Sequence, residues 1–142
     1  MREILFKGKR IDNGEWVEGC YAECNGKTFI GIDISIGIDD IFEVFCTPVI
    51  RWLEVDPETL CQFTGETDKN GKRIWESDVV WLVYDGKEHI YQIVWDNSEL
   101  DFKATNGEEN YGSNFEYLLC CDEIEVIGNI FDNPELLQEE HK

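Results

Sequence analysis

The chain is poor in the residues from which active sites are most simply built. Its 142 residues include two histidines, three prolines and one methionine. His141 sits in the tail, and His89 follows Glu88 on a segment patterned as a strand. No nucleophile elbow and no local Cys/His pairing is present, so nucleophilic catalysis has no legible signature. Basic residues are also scarce, 12 against 31 acidic, for a formal net charge of -19. Such an excess repels nucleic-acid phosphates and anionic membranes, and it favours solubility and basic protein partners. No apolar run approaches the ~18 residues of a membrane-crossing helix. Residues 1–10 carry charges throughout and lack the apolar core of a signal peptide. These features place the protein in a cytoplasm, where its six cysteines are expected to stay reduced.

Long helical periodicity is missing as well; what the chain has instead is alternation. At this length one compact domain is expected, burying about 68–70% of its unfolded surface. Residues 1–10 read as a strand with Ile4 and Phe6 on one face. The turn signal Asp12-Asn13-Gly14 leads into a second strand from Glu15 to Tyr21. Asn25-Gly26 repeats the device, and Ile30, Ile32, Ile34, Ile36 and Ile38 then recur at every second position, as a pleated strand requires. Phe42, Val44 and Cys46 continue the sheet, and Pro48 makes that segment end early or lie at an edge. Around Ile50, Trp52 and Leu53 the alternation is lost among Arg51 and Glu54.

Asp56-Pro57 then breaks the chain, with Asp56 placed to cap a single helical turn through Leu60. A turn at residues 68–71 precedes one long strand from Ile74 to Tyr84, and Asp85-Gly86 returns it into Glu88 to Trp95, with Tyr91, Ile93 and Trp95 on one face. Leu100, Phe102 and Ala104 alternate, residues 106–114 read as a loop, and Glu123 to Phe131 is the last strand. Phe115 to Cys121 is apolar but too short for periodicity to assign. Asn133-Pro134 opens a short helix, with Asn133 as N-cap and Leu136 and Leu137 docking it. Short strands with frequent turns argue for a mostly β barrel or sandwich.

Four constellations bear on chemistry. Gly26-Lys27-Thr28 has the ending of a phosphate loop, but Tyr21 stands where the first glycine belongs and a strand follows, so it reads as a hairpin turn. Glu66, Asp68, Asn70 and Gly71 follow part of a calcium loop, yet position twelve is Ser77 where a bidentate Glu is required. Cys20 and Cys24 have a zinc-like spacing, but the only other close pair, Cys120-Cys121, chelates poorly, and Cys46 and Cys61 are isolated. Glu88-His89 reads as surface rather than as a base. No catalytic, cofactor-binding or metal-ligating residue is assigned, and no cofactor is expected.

Three separated motifs resemble the YopX family of phage and prophage proteins. They are Gln62-Phe63-Thr64-Gly65 with Asp68-Lys69-Asn70-Gly71-Lys72 and Trp75-Glu76-Ser77-Asp78-Val79-Val80; the opening Phe6-Lys7-Gly8-Lys9-Arg10 with Asn13-Gly14-Glu15-Trp16-Val17; and the ending Val126 to Leu137. The family usually carries Gly-Asp where this chain has Ser77-Asp78. The resemblance implies a mostly β fold: an N-terminal β-hairpin region at 1–54, an SH3-like barrel at 55–131, and a short helical cap and tail at 132–142. It implies a phage or prophage protein in a bacterial host cell, and no activity.

An enzyme is not the expected class. The function expected is a non-catalytic binding or assembly module acting through protein–protein contacts, with a basic protein surface or a second copy as partner. Direct nucleic-acid binding and membrane association are disfavoured. An enzyme whose site assembles only in the fold, and an acidic mimic of nucleic acid, are the alternatives.

Overall fold

The computed structural model describes residues 4–33, 50–97, 100–105, 115–117 and 121–140. Two compact units divide the chain, one of Glu3–Gln62 and one built from residue 63 onward. All strand pairings within them are antiparallel.

In the N-terminal unit, β1 (Phe6–Lys9), β2 (Trp16–Cys24), β3 (Lys27–Asp33) and β4 (Ile50–Val55) form a meander of consecutive neighbours. Both hairpin turns fall where their glycines predict. Asn25 and Gly26 take φ 53° and 76°, the left-handed pair of a two-residue hairpin loop. The end of β4 comes back to the end of β1. Arg10 bridges Val55, the Asp56 amide donates to the Lys9 carbonyl at 2.8 Å, and the Ile11 amide donates to the Glu54 carbonyl at 3.1 Å. Asp56 then caps a 3-10 turn, Pro57–Thr59, through the Glu58 amide at 3.0 Å. The expected single turn is therefore present, in its tighter form. Ile30, Leu53, Val55 and Cys61 are buried in this unit. Ile4, expected on the first strand beside Phe6, lies before it and is 66% exposed. The alternating residues 34, 36 and 38, the sheet segment at 42–46 and Pro48 lie outside the described residues.

The strand β5 (Cys61–Thr67) begins in the N-terminal unit, where Cys61 and Gln62 pair with β1. Its later residues pair with β6 (Arg73–Trp75) in the C-terminal unit. The long strand expected from Ile74 to Tyr84 is two strands, β6 and β7 (Asp78–Tyr84). Ser77 breaks it by taking φ 74°, and Asp78 fixes the break by accepting the Trp75 amide at 2.8 Å. The strands β7, β8 (Lys87–Asp96), β9 (Asp101–Thr105) and β10 (Phe115–Tyr117) form a second meander, and β11 (Glu123–Asn129) returns beside β7. The core here is Ile74, Val80, Leu82, Tyr91, Ile93, Phe102 and Ala104, with Ile124 and Val126 against it. Among the described residues this sheet stays open, with β10 and β11 at its edges and no closed barrel. The helix α1 (Glu135–Glu140) packs on β8.

Asn133, expected to cap that helix with its side chain, turns the other way: its Oδ1 accepts the Asn129 amide at 3.3 Å. Gly128 makes this possible, since a Cβ there would lie 2.5 Å from the same oxygen.

Candidate functional site

Three motif residues of the centre, Asp68, Asn70 and Gly71, shape the turn at residues 68–72. Asp68 is 6% exposed, and its carboxylate takes three backbone amides at 2.9 Å, those of Asn70, Lys72 and Val126. Burial alone would raise its pKa. The amides of Val126, Lys72 and Asn70, with the Lys72 charge, outweigh that and hold the carboxyl below its ordinary 3.8. Both oxygens are thus spent on shaping the 68–72 turn and tying it to β11. Asn70 Nδ2 meets Glu125 at 3.3 Å, and Gly71 takes φ 80°. Lys27 and Thr28 open β3, and Thr28 is buried.

Cys20, Cys24, Cys61 and Cys121 are free thiols, with Cys20 and Cys24 exposed; Cys46 and Cys120 lie outside the described residues. No group of three potential metal ligands comes together among the described residues. His89 stacks on Tyr91 with ring centroids 4.8 Å apart.

A different part of the surface has the features of a binding site, and it lies along β4. Alternation sends Leu53 and Val55 into the core and turns Trp52 outward, 47% exposed. The outer face there is apolar. Ala22, Cys24, Phe29 and Trp52 line a cavity of about 330 Å³. Gly31 gives the Trp52 ring its place, because a Cβ at residue 31 would sit 2.9 Å from the ring and 2.7 Å from Ile50.

A second cavity, of about 290 Å³, runs between β4 and the turn after β1. Arg10, Ile11, Asp12, Arg51, Trp52 and Glu54 contribute to its walls. Ile11 is 59% exposed. Arg10 grips Asp12 with two hydrogen bonds, 2.9 Å from Nε and 2.6 Å from Nη2, and this bond holds the Asp12 carboxyl below its ordinary range. The sequence patterning does not reveal this region. Arg51 and Glu54 mask the period of β4, and the exposed Ile11 looks like the end of a strand.

A family model for the YopX protein matches residues 6–138. The chain belongs to the YopX family. The match spans both units, so every element described above except the last two residues of α1 falls inside the YopX region. Among solved structures the chain resembles protein EF1440 from Enterococcus faecalis. The two are 22% identical with a TM-score of 0.53, over 96% of this chain and 99% of that one. That likeness shows the fold alone. Nothing among the curated proteins matches the chain.

Proposed function

We propose that this YopX-family protein is a non-catalytic module that binds another protein in the cytoplasm of a bacterial host, during a phage programme. The supporting observation is the surface around Trp52, where an apolar cavity and a charged one meet at one exposed indole. Aromatic side chains that are half exposed beside a pocket are the usual anchors of protein interfaces. The meander β7 to β10 with β11 returned to β7 supports the finer reading of the C-terminal unit as SH3-like.

The test is co-purification from the host with Trp52→Ala, using Tyr84→Ala, another exposed aromatic, as control. A stoichiometric partner should be lost with the first variant and kept with the second. Partners indifferent to both substitutions, or a protein recovered alone, would refute this surface as the binding site.

A further inference from the structure

The edge of β4 is covered at its end by Arg10 and Ile11 and lies open before it, among the described residues. The Glu54 carbonyl points away from β3, because it receives the Ile11 amide. Backbone direction alternates along an antiparallel strand, so the N–H and C=O of Trp52 and Ile50 point away from β3 too. Residues 51, 53 and 55 use theirs on Ile32, Ile30 and Thr28. Among the described residues nothing receives the outward groups of Trp52. Unpaired backbone groups at Trp52, beside a groove, are a template for strand addition.

The side chains define what fits. Trp52 and Arg51 are neighbours on β4 and so project from opposite faces. Arg51 is exposed and meets no carboxylate among the described residues, whereas Arg10 at the far wall is neutralised by Asp12. In a chain with 31 acidic residues, an arginine that meets no carboxylate among the described residues, beside a strand edge open among them, is an anion receptor. A second copy of the chain does not supply the anion. Outward-facing residues 50, 52 and 54 must pair with outward-facing ones. Within the strand an antiparallel β4 pair therefore sets Arg51 opposite Arg51, Leu53 or Val55 of the other copy, and never opposite an acid.

We propose that β4 takes up an extended segment of another protein by strand addition, with an apolar residue over Trp52 and an adjacent carboxylate on Arg51. This deepens the binding-module reading and rests on it.

Two capped nonapeptides of alternating threonine and valine serve as probes, one with aspartate at its centre and one with lysine. Nitrogen-15 NMR of the full chain follows binding and amide exchange. The aspartate peptide should bind about tenfold more tightly than the lysine peptide, as a single charge-assisted contact implies. It should also slow exchange of the Trp52 amide. Arg51→Glu should reverse the preference. Trp52→Pro, which removes both the indole and the outward N–H at residue 52, should abolish binding of both peptides. If that variant misfolds, exchange in the wild-type chain and the Arg51 reversal still decide the matter. Equal affinity for the two peptides in both chains overturns the carboxylate assignment. An unprotected Trp52 amide with either peptide overturns strand addition. A Trp52-dependent host partner that survives this second result leaves the binding-module reading standing, and loss of both removes it.

Discussion

Asp68 shows how a single acidic residue can be spent wholly on structure. Its three amide bonds satisfy donors from two distant parts of the sequence. Asp68→Asn keeps the volume but replaces one acceptor with a donor, so denaturant unfolding at neutral pH should show a loss of about 1–3 kcal/mol. Because the folded carboxyl titrates below its ordinary 3.8, its contribution is complete above that value and fades as pH falls through the lower folded one. The gap between wild type and variant should therefore close in acid; a gap that is constant to pH 2 would contradict the assignment. Ser77 is the complementary case. It holds φ 74° at a position where a glycine is strain-free, with its amide on the Ile93 carbonyl and its own carbonyl on the Ile130 amide. Ser77→Gly should raise the denaturation midpoint, by up to about 1 kcal/mol in stability, since left-handed strain of about 1–2 kcal/mol is offset in part by the greater freedom of glycine when unfolded.

At the level of elements, what the sequence showed depended on whether one face or two were buried. The turns at Gly14, Gly26 and Gly86 were legible because only a few residues tolerate their dihedrals. The strands β7 and β8 were legible from their apolar faces. The break between β6 and β7 was not, because it depends on a serine in a glycine conformation and on an aspartate bonding three residues back. The candidate site was almost wholly hidden. An open edge is a property of neighbours, and local alternation does not report which strand lies at the end of a sheet. β9 carries a further feature that patterning hides. Lys103 is 2% exposed and holds Asp96 at 2.9 Å, an ion pair inside the sheet. Lys103→Ala should cost about 3–5 kcal/mol by removing the cation that faces the Asp96 carboxylate, whereas Lys103→Met with Asp96→Leu should recover most of that loss. Thermal melts of the two variants measure the difference, and equal melting temperatures would show that the pair is not the source of the loss.

Across the whole molecule the same lysine alters the electrostatics. Between Lys87 and Lys142 it is the only lysine or arginine, and it is buried, so it offsets little of the surrounding negative charge at the surface. Positive residues gather instead near the start of the chain, at Lys7, Lys9 and Arg10, close in sequence to the Ile11 wall of the β4 groove. The protein should therefore fail to retard duplex DNA at an ionic strength of about 0.15 M, where unfavourable long-range repulsion still operates. A basic partner should associate more slowly as salt rises, with dissociation much less affected. Tight DNA binding at that salt, or an association rate that ignores it, would defeat this picture.

The packing at Gly31 has an optical consequence. The Cys20 sulphur and the Trp52 indole each lie 2.9 Å from the point where a side chain on that glycine would begin. The thiol and the indole therefore share one packing site, and a thiol that reaches an excited indole drains its emission, so Trp52 should be dim in the free protein. A ligand that shifts the ring would brighten it, and a difference spectrum against Trp52→Phe would isolate that signal from the other four tryptophans. The chain thus carries its own fluorescent gauge of whether the groove is filled.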